Sequence, residues 1–125
     1  MRIARSMLDQ IVAQARDEAP NECCGIIGTR NGRAVKVYPV RNAAASPLRY
    51  EIDPRDQLRV FEALDDAALE VGAIYHSHTR SAPEPSQTDI NLAFYPDAVY
   101  VIVGVRAWRI TDGQVSEAPL EVEEG

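Results

Sequence analysis

Two histidines are all this chain has, and they stand one residue apart as His76-Ser77-His78. An apolar run, Val71-Gly72-Ala73-Ile74-Tyr75, leads into them and predicts a short buried strand. Side chains two positions apart on a strand share a face at roughly 6.5 Å spacing, so both imidazoles can turn toward one ion. Asp89 follows inside Ser86-Gln87-Thr88-Asp89, the Ser-x-x-acid pattern that opens a helix, directly after the helix-stopping Pro85. A proline-rich loop can swing that first helical turn back over the strand end. Two neutral imidazoles and one carboxylate form a borderline-soft donor set that suits Zn2+, one ion per chain. Three protein ligands leave a fourth tetrahedral position for water, whose pKa zinc lowers to about 7. His76, His78 and Asp89 are therefore candidate metal ligands of a hydrolytic centre. Each half has a plainer reading, a satisfied core histidine or a bare helix cap; their conjunction favours the metal.

Such a centre needs a base within hydrogen-bond reach or one water away. Glu22, Glu51 and Glu84 are candidates, and Glu22 ranks narrowly first because it opens an otherwise apolar strand. A donor aimed at the oxyanion is also needed. Ser77 should point to the opposite strand face and into packing, which demotes it. Ser86 has two competing uses, helix cap and oxyanion donor, and spacing alone prefers the cap. Cys23 and Cys24 are adjacent, so on a strand they face opposite ways and an ordinary disulfide between them is disfavoured. They invite a thiol-nucleophile or extra-ligand reading, but neither sits beside an obvious base in sequence, so they read as buried small apolar residues of a protein in a reducing, cytoplasmic setting.

The elements that would position these groups alternate along the chain. Ser6 and Asp9 suggest a capping box for a first helix with Leu8, Ile11, Val12, Ala15 and Ala19 at helical spacing, ended by Pro20. A buried strand over residues 22–28 turns at Asn31-Gly32 into a return strand over 33–40, with Val35 and Val37 on one face. Residues 41–47 read as a loop and 49–52 as a short strand. Asp53-Pro54 caps a second helix with a stripe of Leu58, Phe61, Leu64, Ala68 and Leu69, and Gly72 is its expected stop. After the histidine strand and the helix from Ser86 come strands over 98–105 and 107–111. An Asp112-Gly113 hairpin then returns through residue 120, and the acidic end, 121–125, reads as a frayed, solvated tail. The expected fold class is α/β: a single domain over residues 1–125, one mixed β-sheet with helices packed on it.

Composition is that of an ordinary globular protein, 46% apolar and 26% charged over 125 residues. A net charge of −6 argues against nucleic acid, whose sequence-independent attraction runs through Lys and Arg. No apolar run approaches the roughly 20 residues of a membrane span, and the first residues carry no signal-peptide core.

The ordered set Glu22, His76-Ser77-His78, seven residues, Ser86, two residues, Asp89 resembles the JAMM (MPN+) metallopeptidase family at every spacing. The likeness extends through Asn21-Glu22-Cys23-Cys24-Gly25 and residues 42–54, roughly 1–110 in all. Thr79 departs from it, since many members carry proline there, which bears on loop rigidity and not on the ligand set. The resemblance implies a cytidine-deaminase-like JAB/MPN sheet sandwiched between helices. It implies that His76, His78 and Asp89 bind zinc, that Glu22 is general base and proton shuttle, and that Ser86 helps hold the tetrahedral oxygen. Members cut peptide or isopeptide bonds after the extended tail of ubiquitin or a ubiquitin-like protein. The short stand-alone form looks most like bacterial Mec-type peptidases, which release cysteine from the Gly-Gly end of a sulfur-carrier protein in cysteine synthesis. Such a tail could add beside a sheet edge, its glycines passing a narrow channel with residues 41–49 as a wall. A deubiquitinase-like isopeptidase, a non-catalytic ubiquitin-like-binding scaffold, and a homodimer stay open. A zinc deaminase is disfavoured because the chain has no Cys-x-x-Cys, and a purely structural zinc site would close with four protein ligands.

Overall fold

The structure is a computed structural model describing residues 1–79, 81–103 and 106–124. In chain order the elements are β1 (Arg2–Ala4), α1 (Arg5–Glu18), β2 (Cys24–Arg30), β3 (Arg33–Val40), α2 (Pro54–Asp66) and β4 (Glu70–His76). They continue with α3 (Gln87–Asn91), β5 (Val99–Ile102), β6 (Arg106–Thr111), β7 (Gln114–Ala118) and β8 (Glu121–Glu123). The strands form one mixed sheet in the order β7-β6-β5-β4-β2-β3-β1-β8.

Local chemistry sets the antiparallel pairs. Asn31, Gly32, Asp112 and Gly113 all have positive φ, at 53°, 77°, 51° and 75°. Two such residues in succession are what a two-residue hairpin matched to strand twist requires, so β2 turns into β3 and β6 into β7. Asp53 caps α2 by accepting from the Arg55 and Asp56 amides, with Pro54 at the first helical position.

Side-chain alternation then builds a separate core on each face. On one, α1 contributes Leu8 and Ile11 against Cys23, Ile27, Ala73, Tyr75, Val99 and Val101. On the other, α2 contributes Val60 and Leu64 against Cys24, Ile26, Ile74, Tyr100 and Ile102. The sheet is thus sandwiched by helices, as expected. Gly25, opposite Tyr75 on β4, lets the tyrosine ring cross β2; a Cβ there would lie 2.2 Å from ring atoms. The Tyr75 hydroxyl donates to Gln14 of α1, tying that helix to β4.

Several expectations are corrected. Helix α1 starts directly from β1 at Ala4, with no side-chain cap, so Ser6 lies inside its first turn. The buried stripe of α2 is Asp56, Val60 and Leu64, whereas Leu58 is 62% exposed. Asp56 sets that rotation. Its carboxylate accepts from the Arg41 amide at 2.8 Å and the Arg41 guanidinium at 3.2 Å, with Arg59 3.4 Å away. Ala68, at φ 53°, ends the helix region, and Gly72 lies within β4 instead of stopping α2. The β2–β3 ladder shifts register between Gly28 and Thr29, so Ala34 and Val37 are buried and Val35 is left 39% exposed. Residues 49–52 make only the isolated Asn42–Ile52 bridge. The strand expected over 98–105 is β5, Val99–Ile102; Gly104 and Val105 lie outside the described residues. Of the acidic end, residues 121–124 are not a frayed tail, and Gly125 lies outside the described residues. Glu121–Glu123 pair in parallel with Arg2–Ala4, Glu123 meets Arg33 at 2.6 Å and Glu124 meets Arg5 at 3.1 Å. Among the described residues no helix is long and apolar enough to cross a membrane.

Asp56→Ala should lower the unfolding free energy by about 1.5–3 kcal/mol in a urea titration at pH 7, the range for hydrogen bonds to charged partners. The hydrogen bonds from Arg41 hold the Asp56 carboxyl at about 2, below its ordinary 3.8. Its contribution is therefore complete above pH 3.8 and is lost as pH falls through about 2, so the gap between variant and parent closes in acid.

Candidate active site

The site forms where β4 ends and β2 begins, which antiparallel pairing places side by side. His76 is the last residue of β4 and stands opposite Cys24, the first of β2. It shares its face with Ile74, on the α2 side. There the Tyr50 ring stacks on it at 4.3 Å, with 19° between the planes. Glu22, two residues before Cys24, continues that face and is 3% exposed. Ser77 turns the other way, and its buried Oγ accepts from the Cys23 amide at 2.8 Å, as strand alternation demands. The strand stops before His78, so only one histidine lies on it; the second reaches back from the loop. Helix α3 supplies Asp89. Ser86 caps it, accepting from the Asp89 amide at 3.1 Å, while Asp89 Oδ2 accepts from the Ser86 amide at 2.9 Å.

These elements bring Glu22, His76, His78 and Asp89 together, one donor atom of each lying within 4.8 Å of the others. The pattern of protons shows what the cluster is built to hold. His78 Nδ1 lies 2.8 Å from the Ala82 carbonyl, an acceptor only, so Nδ1 carries the hydrogen and neutral His78 presents a bare Nε2. That Nε2 is 2.8 Å from Asp89 Oδ2 and 3.1 Å from His76 Nε2, which is itself 3.1 Å from Asp89 Oδ2. Three ligand-capable atoms converge, and no placement of protons turns all three contacts into hydrogen bonds at once. A small cation satisfies all three, and these residues fit a metal ion.

The titration behaviour has the same origin. Burial would lower the His78 imidazole, but the hydrogen bonds to Asp89 and the Ala82 carbonyl outweigh it and raise its pKa. Burial dominates at His76 and lowers it, favouring the neutral ligand form. Burial would raise Asp89, yet its hydrogen bonds with both histidines hold it far below the ordinary carboxylate range. Glu22 goes the other way: desolvation pushes it up to about 7, with the nearby His78 charge opposing and Asp89 adding. Its Oε1 is buried without a partner, so it is a carboxyl poised to exchange a proton near neutrality.

The competing candidates are placed elsewhere. Glu51 is exposed, 3.7 Å from Arg49, and Glu84 is exposed and paired with Arg106 at 3.0 Å. Cys23 and Cys24 are free and buried, and desolvation pushes both thiols up, away from the reactive thiolate. Ser86 escapes the conflict expected of it. Capping uses an oxygen lone pair, so its hydroxyl proton stays free to donate outward.

Three contributors were not expected at this site from the sequence. Tyr50 is the platform for His76. Asn42 uses all four of its hydrogen-bonding positions: its amide donates to the Glu22 carbonyl at 2.9 Å and the Arg49 carbonyl at 3.0 Å. Its oxygen accepts from the amides of Ala44 and Glu51 at 3.0 and 2.9 Å. With the Glu22 amide donating to Ser46 O at 2.9 Å, the loop over 41–51 grips the backbone of Glu22 from both sides. The third is the Ala82 carbonyl. A tyrosine, an asparagine and a backbone oxygen carry no spacing signal that ties them to a distant histidine.

Comparison with known proteins places the chain among relatives. Residues 4–111 match the family described as prokaryotic homologs of the JAB domain. The CysO-cysteine peptidase of Mycobacterium tuberculosis is 39% identical over 98% of this chain and 90% of its own length. The desampylase of Haloferax volcanii is 38% identical over 80% of this chain and 77% of its own. A solution structure of a protein from Desulfitobacterium hafniense superposes with a TM-score of 0.88 at 28% identity, covering 100% of this chain and 94% of that one.

In metal-free protein, burying Glu22 favours its protonated form, so the fold binds the extra proton between pH 4.5 and about 7 and stability falls as pH rises through that window. Glu22→Gln should remove this dependence and leave the variant more stable than the parent above pH 7. Urea denaturation curves of chelator-treated protein at pH 5 and pH 8 would measure the difference.

Proposed function

The chain belongs to the family of prokaryotic homologs of the JAB domain, and on that footing we propose a zinc-dependent peptidase that cuts after the Gly-Gly end of a ubiquitin-like sulfur-carrier protein, releasing its terminal cysteine. The observation that carries this reading is the convergence of three ligand-capable atoms, His76 Nε2, His78 Nε2 and Asp89 Oδ2, beside a buried, partnerless glutamate oxygen. Their separations of 2.8–3.1 Å lie close to the roughly 3.3 Å between donors about a tetrahedral zinc. When bound, zinc supplies Lewis acidity that brings the ionisation of water to about pH 7.

The residues then divide the work. Glu22 takes a proton from the attacking water as its oxygen bonds to the amide carbon. It returns that proton to the nitrogen as the carbon–nitrogen bond breaks. The Ser86 hydroxyl donates to the oxygen that gains charge. Residues 41–49 form one wall of the approach, held by the Ser46 carbonyl on Glu22 and by the Thr79 hydroxyl donating to the Pro47 carbonyl at 3.0 Å. The 39% identity with the CysO-cysteine peptidase supports a carrier–cysteine amide as substrate. The 38% identity with a desampylase supports a second reading, an isopeptide bond to a ubiquitin-like protein cut at the same centre.

Purified zinc-loaded protein incubated with a carrier ending Gly-Gly-Cys should remove the terminal cysteine, seen by mass spectrometry. An intact carrier together with cleavage of a lysine-linked conjugate would select the second reading, and inertness toward both would overturn the peptidase. Glu22→Gln should keep its zinc and lose turnover. Ser86→Ala should lower kcat by roughly 10²–10³-fold, the usual cost of one oxyanion donor, and stability by about 1 kcal/mol as a lost cap.

A further inference from the structure

Trp108 is the only tryptophan in the chain, and it sits on β6, two strands from His76. The residue is 8% exposed, and its indole N–H donates to the Pro83 carbonyl at 3.1 Å. The preceding carbonyl, Ala82 O, is the one that fixes the hydrogen on His78 Nδ1 at 2.8 Å. On the other side, Glu84 meets Arg106 at 3.0 Å. Arg106 lies over the Trp108 ring at 4.6 Å and is held by Glu117 of β7 through contacts of 2.9 and 3.3 Å. Three consecutive residues of the loop between His78 and Ser86 are thus engaged in turn: Ala82 by the histidine, Pro83 by the indole, Glu84 by the guanidinium.

We propose that Trp108 and Arg106 are positioning residues for metal binding: they clasp Pro83 and Glu84 to the sheet and so hold the Ala82 carbonyl where it turns the bare Nε2 of His78 toward the ion. A loop of this length between two ligands is otherwise free to rotate the His78 ring, and partners that orient a ligating histidine are worth about 10–100-fold in metal affinity. The clasp acts through one more bond, which puts its effect at the lower end of that range. The inference rests on the metal centre proposed above, and its test separates the two.

Zn2+ affinity would be measured by competition with a chromophoric chelator on metal-free parent, Trp108→Phe and Glu84→Gln proteins. Coordination would be followed by Co2+ visible absorption. Trp108→Phe keeps an aromatic ring beneath Arg106 and removes the N–H together with the five-membered half of the indole, so the metal-free thermal midpoint should fall while the fold is kept. Zn2+ affinity should weaken about tenfold, and the Co2+ bands should change shape as His78 loses its orientation. Glu84→Gln, an exposed change, should weaken affinity several-fold, and Zn2+ should shift Trp108 emission in the parent but not in His78→Ala. A parent that binds no Zn2+ overturns the metal centre itself. A parent that binds it, with both variants equal to it in affinity and in Co2+ spectrum, overturns the clasp alone. Were Trp108→Phe to unfold, the Glu84→Gln affinity decides by the same criterion.

Discussion

The register that sets Cys24 opposite His76 is the constraint on which the remaining geometry hangs. Backbone pairing between β2 and β4 runs from this point along the centre of the sheet, and a slip of one residue would turn every side chain on the shifted strand to the other face. With the register fixed, Glu22, just before β2, and His76, at the end of β4, enter the same corner from two strands that run in opposite directions. His78 and Asp89 are then added by a loop and a single helical turn. The division of labour is physical: ladder hydrogen bonds locate the site to within a residue, and side-chain contacts aim the individual atoms.

That corner is electrostatically expensive. Four ionisable groups crowd into a space nearly closed to water, and two buried atoms, Glu22 Oε1 and His76 Nδ1, have no protein partner among the described residues. Nothing in the packing of the α2-side core asks for such a cluster, because Ile26, Ile74 and Ile102 fill the same layer with apolar side chains. Groups of this kind persist where chemistry uses them. The fold surrounds them with fixed dipoles: the carbonyls of Ala82 and Ser46, the Asn42 amide, and the capped first turn of α3.

Much of this was legible in the chain because its signals are local. His76, His78, Ser86 and Asp89 fall within one short segment whose strand, loop and cap each leave a pattern, and Asn31-Gly32, Asp112-Gly113 and Asp53-Pro54 announce their turns and cap by backbone chemistry alone. What stayed hidden depends on distant partners. Strands β1 and β8 are three residues each and exist through each other, across nearly the whole chain length. Periodicity offered Leu58 to the core, but the helix buries Val60 instead, on the face where Asp56 reaches Arg41. Asn42 and Trp108 were unmarked for a related reason. Their importance lies in which carbonyl they reach, a property of the fold and not of their neighbours in sequence.

Strict alternation along β4 has a practical corollary. Tyr75 and Ser77 look into the layer under α1, whereas Ile74 and His76 look toward the reaction corner, so the two cores can be engineered apart. Ile3, Leu8, Ile11, Ile27 and Val37 belong wholly to the former layer, and repacking them for heat resistance leaves the ionisable corner untouched. The exception is the seam where Tyr75 crosses Gly25 to reach Gln14: there a change meant for one layer moves the backbone from which His76 is hung.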